Sequence, residues 1–193
     1  MPAKSTISRA NVLDAAFEIV RREGMSALSA RRVARQLGCS TQPLYSAYGS
    51  MKALARDVLD RVQQVALGYL APSDEPDATA PFLQVGLGSL RFARDEPQLY
   101  AAFARSGPFL RDLQQGKPPP PFVLQRMRAD PLLGQLSDEQ LTRINALMWF
   151  FSQGLGTLFV ADLDGDTFAL AERYLKLAGQ AVVTFETQPR RES

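Results

Sequence analysis

The stretch from Ala30 to Leu54, ARRVARQLGCSTQPLYSAYGSMKAL, decides the fold, because it places two short helices on either side of a three-residue break. Ala34 lies four residues before Gly38 and is small enough for two helices to cross there. Gly38 can adopt the left-handed conformation that such a turn needs. Leu44 then faces back into a small core. This spacing predicts a helix-turn-helix unit.

The second helix of this pair is the one that would lie in the major groove of DNA. Its exposed side chains are polar or aromatic and can reach base edges and phosphates. Arg31 begins the first helix, and phosphate contacts outnumber base contacts in such interfaces, so Arg31 is a further candidate. The alternatives are a solvated charge for Arg31 and packing of the small domain for the two tyrosines. The candidates on the second helix are Thr41, Gln42, Tyr45, Ser46 and Tyr48.

Charge and composition favour a polyanionic partner at one end of the chain. Residues 1–64 carry ten Lys/Arg and five Asp/Glu, whereas residues 65–193 carry twelve Lys/Arg and fifteen Asp/Glu. A basic N-terminal third predicts contact with nucleic acid there. The 193 residues include no histidine and a single cysteine, Cys39. This composition excludes histidine-dependent catalysis, histidine-ligated zinc and an intrachain disulfide. We interpret Cys39 as a small buried apolar residue rather than a redox switch.

The rest of the chain shows helical periodicity almost throughout, without the alternation typical of strands. Serine caps and glycine or proline breaks delimit the predicted helices. They run over Ser8–Glu23, Ser29–Leu37, Ser40–Ala47, Ser50–Leu70, Phe82–Arg94, Glu96–Ser106, Phe122–Ala129, Ser137–Leu158 and Asp166–Thr187. Three prolines and three acids between Ala71 and Pro81 predict a loop.

We therefore predict an all-α fold. Residues 1–50 form an N-terminal three-helix helix-turn-helix DNA-binding domain, residues 51–187 form a helical ligand-binding and dimerisation domain, and residues 188–193 form a flexible tail. The apolar span Ile144–Ala161 contains Asn145, Gln153 and two glycines, so we expect a buried helix rather than a membrane span. The polar N-terminus lacks a signal-peptide pattern, and we expect a cytoplasmic protein.

The helix-turn-helix segment also resembles a known family. Gly24, Ser29 with Val33-Ala34, Gly38-Cys39-Ser40, Leu44-Tyr45, Tyr48 and Leu54 are similar to the N-terminal domain of tetracycline-repressor-like (TetR family) regulators. The resemblance covers about 50 residues, and it is the set rather than any single residue that is specific. Tyr48 occupies the position where the family has a core aromatic, which favours packing for Tyr48 and a phosphate contact for Tyr45.

A second resemblance lies downstream. Phe92-Ala93, Glu96-Pro97, Leu99-Tyr100 and Phe103 are similar to a stretch of one C-terminal-domain subgroup of the family. Trp149, Gly154 and Leu155 resemble its Trp-x-x-x-His-Gly signature, with Gln153 at the position where histidine is usual.

The family resemblance implies a homodimeric, ligand-responsive repressor that binds a palindromic operator. Its recognition helices would lie about 34–36 Å apart, and a small molecule would release the DNA by shifting the fourth helix, Ser50–Leu70. Many relatives have a phosphate-contacting lysine at the position of Met51, and here the lysine is Lys52. The DNA-binding residues implied are Arg31, Ser40, Thr41, Gln42, Tyr45, Ser46, Tyr48 and Lys52.

The second domain has the aromatic content expected of an apolar effector site, although each residue at helical spacing can also be plain core. Gln153 is polar in the middle of an apolar helix, so its amide either bonds to a neighbouring helix or is offered to the ligand. The predicted ligand contacts are Phe92, Tyr100, Phe103, Phe122, Met127, Trp149, Phe150 and Gln153. The two C-terminal helices are the expected dimer surface, where they would form a four-helix bundle. Closing the monomer's own core is the alternative for these faces.

Two other functions compete with this interpretation. A constitutive DNA-binding protein would lack an effector site, and a helical enzyme would need catalytic groups that the sequence does not supply. We expect no cofactor and no metal site. The segment from Asp162 to Asp166 resembles a calcium loop, but its glycine is at the fourth position and Arg173 stands where a bidentate glutamate belongs.

Overall fold

The computed structural model describes residues 7–70, 80–106, 111–112, 115–160 and 165–188. Within these ranges the chain forms α-helices and one short 3-10 helix, Met25–Ala27, and no β-strand, which confirms the predicted all-α fold. The helices are α1 (Arg9–Glu23), α2 (Ala30–Gln36), α3 (Gln42–Tyr48), α4 (Met51–Leu70), α5 (Pro81–Asp95), α6 (Pro97–Ser106), α7 (Pro121–Ala129), α8 (Asp138–Val160) and α9 (Gly165–Thr187).

Local capping explains where several helices begin. The Ser8 hydroxyl accepts a hydrogen bond from the Asn11 backbone N–H at 3.1 Å, and the Asn11 side chain accepts one from the Ser8 backbone N–H at 3.2 Å. This reciprocal arrangement is a capping box. Ser50 and Ser137 act similarly, since their hydroxyls accept from the backbone N–H groups three residues later, at 3.2 and 3.3 Å. Pro43, Pro81 and Pro121 lie in first turns, where a missing N–H is tolerated.

The chain divides into two compact units, and α6 belongs to the first of them. The first unit comprises Met1–Val65 with Gln98–Ser106, and the second comprises Ala66–Pro97 with Gly107–Ser193. The functional boundary after residue 50 stays a prediction. Gly24, at φ +82°, shows how closely α6 approaches α1, because a Cβ there would lie 2.7 Å from Oε1 of Gln98.

In the first unit, α1 is held against α4 by two ion pairs and by apolar packing. Arg9 donates to Asp57 at 2.8 Å, and Arg61 pairs with Asp14. The Arg61 guanidinium also lies over the Phe17 ring, 4.4 Å from its centroid. The fully buried core side chains of this unit include Val12, Ala16, Val20, Val33, Val58 and Val62.

In the second unit, two glycines allow helices to pack closely. A Cβ on Gly88 would collide with the backbone carbonyl of Tyr69 at the end of α4, so only glycine fits where α5 crosses there. A Cβ on Gly86 would lie 2.9 Å from the Leu175 side chain of α9. The surrounding interior is apolar, with Leu90, Leu133, Leu141, Ile144 and Leu175 almost completely buried.

The last two helices each have a second, exposed apolar face. On α8 this face carries Leu147, Phe150, Phe151 and Leu158, and on α9 it carries Leu170, Tyr174, Leu177 and Phe185. On α8 the residues Leu147, Phe151 and Leu158 are four and seven residues apart, with Phe150 next to Phe151, and on α9 the intervals are four, three and eight residues, which places the members of each set on one side of the helix. Arg143 of α8 joins the two helices through two bonds of 2.8 and 2.9 Å to the Glu186 carboxylate of α9.

Three predicted features lie outside the described residues. They are residues 71–79 of the proline-rich loop, residues 161–164 of the segment that resembles a calcium loop, and residues 189–193 of the tail.

Candidate nucleic-acid interface and ligand-contact residues

The break between α2 and α3 is a Schellman turn. The Cys39 backbone N–H donates to the Ala34 carbonyl at 3.0 Å, and the Gly38 N–H donates to the Arg35 carbonyl at 3.2 Å. Gly38 has φ +64°, the left-handed conformation that glycine adopts at low cost. These bonds satisfy carbonyls at the end of α2 and fix the direction in which the chain enters the next helix. Cys39 is half-buried in this turn.

α3 has one buried and one exposed side. Leu44 and Tyr48, four residues apart, are only 2% and 8% exposed and anchor the helix on its core side. Tyr45 is 49% exposed on the other side. The helix begins one residue later than predicted, because Thr41 rather than Ser40 occupies the N-cap position, with Pro43 in the first turn. Gly49, at φ +67°, ends it.

The predicted DNA contacts fall into two groups by exposure. Arg31, Ser40, Gln42, Tyr45, Ser46 and Lys52 are exposed. Thr41 is half-buried, and Tyr48 is buried, which favours packing rather than DNA contact for Tyr48. The Ser46 hydroxyl donates to the Gln42 carbonyl within α3 at 3.2 Å, so its oxygen remains as an acceptor.

Tyr48 belongs to a cluster that the sequence analysis did not find. The Arg9 guanidinium lies over its ring, 4.4 Å from the centroid, while donating to Asp57. Burial raises the pKa of Tyr48. The hydrogen bond from Arg9 lowers the pKa of Asp57, and the hydrogen bond from Arg22 lowers that of Glu23. The cluster joins α1, α3 and α4, and no local sequence signal announces it because its members lie far apart in the chain.

This arrangement of helices coincides with the part of the chain that matches a known family. Residues 12–58 match the family model described as bacterial regulatory proteins, tetR family. This segment is therefore similar to the N-terminal domain of TetR-family regulators. The match covers the helix-turn-helix, from within α1 to within α4, and it confirms the resemblance inferred from sequence. The Trp-x-x-x-His-Gly subgroup stays a prediction.

Two further comparisons extend beyond residues 12–58. The chain is 33% identical, over 120 residues, to the HTH-type transcriptional repressor DrrR1 of Streptomyces coeruleorubidus, a match that covers 60% of this chain and 38% of that protein. The chain thus spans well under half the length of this curated relative. A crystal structure from structural genomics, described as a transcriptional regulator from Streptomyces coelicolor A3(2), has the same fold, with a TM-score of 0.60 and 21% identity. That likeness covers 93% of this chain and 98% of the other.

Outside residues 12–58, the predicted ligand contacts are divided between the two units. Tyr100 and Phe103 lie on α6, in the first unit. The six others lie in the second unit, and their exposure varies widely. Phe92 and Met127 are almost completely buried, Phe122 and Trp149 are half-buried, and Phe150 is 52% exposed.

Two aromatic contacts and one polar atom stand out in the second unit. The rings of Tyr69 and Phe92 lie 5.2 Å apart, and Tyr69 was not singled out from sequence. Trp149 and Phe150 pack edge to face at 5.1 Å. Oε1 of Gln153 is buried and accepts no hydrogen bond from the part of the chain that the structure describes.

Within the described ranges, no three histidine, cysteine, aspartate or glutamate side chains lie close enough together to hold a metal ion. No helix there is long and apolar enough to cross a membrane.

Proposed function

We propose that this protein is a homodimeric transcriptional repressor of the cytoplasm that binds a palindromic DNA operator. Its α3 helices would enter successive major grooves about 34–36 Å apart. The observation that carries this proposal is the exposed side of α3, with Gln42, Tyr45 and Ser46, in a domain of the TetR family. The family match also favours a regulator over the alternative of a helical enzyme.

The proposed DNA contacts are the exposed candidates. Arg31 and Lys52 would bind phosphates from the start of α2 and of α4. Gln42 and Ser46 would reach base edges or the backbone, and Tyr45 would donate its hydroxyl to a phosphate. Ser40 and the half-buried Thr41 would contact the backbone at the start of α3.

The test of this interface is a gel shift with DNA from upstream of the protein's own gene. We expect tight binding to one palindromic site. Tyr45→Ala should weaken it about tenfold, the equivalent of one lost hydrogen bond of about 1.4 kcal/mol. Tyr45→Phe separates the hydroxyl from the ring, and Ser26→Ala, at an exposed position outside α2 and α3, serves as the control. Unchanged operator affinity in a folded Tyr45→Ala protein would refute the assignment.

We further propose that a small apolar or aromatic effector binds the second unit and releases the operator. The buried acceptor of Gln153 supports this proposal, since a buried oxygen without a partner is costly and a ligand donor would satisfy it. Release requires the effector to bind one of two states more tightly, and we propose that the states differ in the position of α4. Aromatic compounds that release the wild-type operator complex should act more weakly on Gln153→Leu. Equal release would exclude Gln153, and a protein that no compound releases would favour the constitutive alternative.

The homodimer would form through the exposed apolar faces of α8 and α9. Together, the eight exposed large apolar side chains form a larger apolar surface than monomeric proteins usually expose. Two helices with such faces can pack against the same pair of a second copy as a four-helix bundle. Gly154 lies on the same face of α8 as Phe151 and Leu158, and a Cβ there would meet nothing within 4 Å. A partner helix could therefore approach closely at this point.

A further inference from the structure

The segment from residue 24 to residue 56 contains no aspartate and no glutamate. It covers α2, α3 and the first turns of α4, and it carries five cationic side chains. An acidic residue flanks the segment on each side, since Glu23 precedes it and Asp57 follows it. We call it the acid-free segment. Its cations are Arg31, Arg32, Arg35, Lys52 and Arg56.

Of these five charges, only that of Arg32 forms an ion pair among the described residues, although the charge of Arg56 also acts on the neighbouring Asp57. Arg32 is bound to Glu23. The other four form no ion pair and no side-chain hydrogen bond among the described residues. Asp60, one turn beyond Arg56 on α4, forms no ion pair with it there either. The pattern is selective, because other arginines of the same unit do have partners: Arg9 binds Asp57, Arg22 binds Glu23 and Arg61 binds Asp14.

The four cations without an ion pair in the described part of the chain form two pairs with helical spacing. Arg31 and Arg35 are four residues apart on α2, and Lys52 and Arg56 are four residues apart on α4, so the members of each pair lie on one face of their helix. All four are exposed. Like charges at this spacing slightly destabilise an isolated helix. The two pairs therefore do not serve to stabilise α2 and α4, and an anionic partner accounts for them better.

The helices that present these pairs are fixed within the first unit. The bonds from Asp57 and Arg61 hold α4 to α1, immediately after the Lys52 and Arg56 pair. Val33 and Ala34, which are buried, anchor α2 between Arg31 and Arg35. In sequence, α3 lies between the two pairs of cations. A DNA duplex with α3 in its major groove has a phosphate backbone on each side of that groove, and each pair can contact one of them.

We propose that Arg35 and Arg56 bind backbone phosphates of the operator, in addition to Arg31 and Lys52. This inference rests on the proposed DNA-binding function and specifies how that function is supported where Met51 stands in place of a lysine. Each protomer then neutralises four phosphates with this set, and a dimer neutralises eight. The contacts carry affinity and its salt dependence but no base preference.

The test compares the full-length wild type with the double variant Arg35→Gln, Arg56→Gln over a range of salt concentrations. Each phosphate contact contributes about 0.9 to the slope of log affinity against log salt. The double variant loses four contacts per dimer, so its slope should be less steep by about 3.6. Its preference for the operator over unrelated sequence should stay unchanged. Arg35→Lys with Arg56→Lys should keep the wild-type slope.

Two controls of equal charge change separate a phosphate contact from a general loss of positive charge. Arg22→Gln alters an exposed arginine of the same unit that already has a carboxylate partner. Arg126→Gln alters an arginine of α7 in the second unit. Together, Arg22→Gln and Arg126→Gln remove as many positive charges as the test variant does. This double control should keep the wild-type salt slope within experimental error. An equal decrease in the controls would overturn the inference, as would an unchanged slope in the double variant.

A duplex of mixed sequence distinguishes failure of the inference from failure of the proposed function. If the wild type binds its operator but the double variant keeps the full slope on both duplexes, only the inference fails. If the wild type shows no salt-dependent binding to either duplex, the DNA-binding proposal fails and this inference fails with it.

Discussion

The two units of the molecule expose opposite kinds of surface. Ten large apolar side chains are exposed among the described residues, and nine of them belong to the second unit; Tyr45 is the exception. The first unit instead exposes the four cations of the acid-free segment that form no ion pair among the described residues. Exposed charge suits a partner that is itself charged and hydrated, whereas exposed apolar area suits a partner that excludes water. We therefore expect the two units to bind different kinds of partner.

The largest expected effect concerns the apolar surface. Leu177→Glu places a carboxylate in the exposed face of α9, once in each copy of the proposed dimer. Losing about 1.5 kcal/mol or more in each copy should raise the dimer dissociation constant at least about 100-fold. Sedimentation velocity over a concentration series measures this change. Leu132→Glu, at a position that is 68% exposed but outside α8 and α9, should leave the dimer intact. A Leu177→Glu protein that remains dimeric would place the interface elsewhere.

The next effect tests the packing inside the second unit. Gly88→Ala forces a Cβ against the Tyr69 carbonyl, which cannot move without distorting α4. We expect the free energy of unfolding to fall by about 2–3 kcal/mol, measured by urea denaturation. Gly68→Ala is the matched control, because it lies in α4 with nothing within 4 Å of its Cβ. That change should raise stability by about 0.5–1 kcal/mol through helix propensity. Equal effects of the two substitutions would show that α4 and α5 are not in close contact.

The smallest effect concerns acid stability in the first unit. Asp57 and Glu23 have pKa values below their ordinary 3.8 and 4.5, so their stabilising contribution is complete above those values. It is lost as the pH falls through the lowered pKa values. Urea midpoints measured between pH 7 and pH 3 should therefore decrease mainly below about pH 4.5. Asp57→Asn should reduce this decrease, and Asp60→Asn, which removes a carboxylate without an ion pair in the described part of the chain, should not. Identical pH profiles for all three proteins would contradict the role of Asp57.

Local signals account for the part of the fold that could be predicted. Ser8, Gly24, Pro97 and Ser137 mark helix ends through capping and backbone preference, which depend only on neighbouring residues. The predicted cap of α3 is wrong by one residue, because the helix begins at Gln42 after the turn that Gly38 and Cys39 close, with Thr41 rather than Ser40 at the N-cap. The candidate DNA contacts follow from the same local pattern, which does not indicate Arg35 and Arg56, the further phosphate contacts that we propose. The absence of acids around them was the available signal.

Nonlocal features could not be predicted in this way. α8 is apolar on more than one side, and periodicity alone could not tell that Ile144 and Met148 are buried while Phe151 and Leu158 are exposed. The membership of α6 in the first unit depends on the close approach of Gln98 to Gly24, which lies 74 positions earlier in the sequence. Both features depend on which helix faces pack against each other, and local patterns in a single sequence do not specify these pairings.

The two ion pairs between α1 and α4 also have a consequence for how the first unit finds its structure. Their polarity is reversed: α1 supplies the cation Arg9 at one pair and the anion Asp14 at the other, while α4 supplies Asp57 and then Arg61. Sliding α4 by one turn would oppose Arg9 to Arg61 in one direction and Asp14 to Asp57 in the other, so each slip meets like charges. Apolar surfaces tolerate such slips far better than charges do. During folding, the two ion pairs therefore favour the native alignment of α1 and α4 over alignments shifted by one turn.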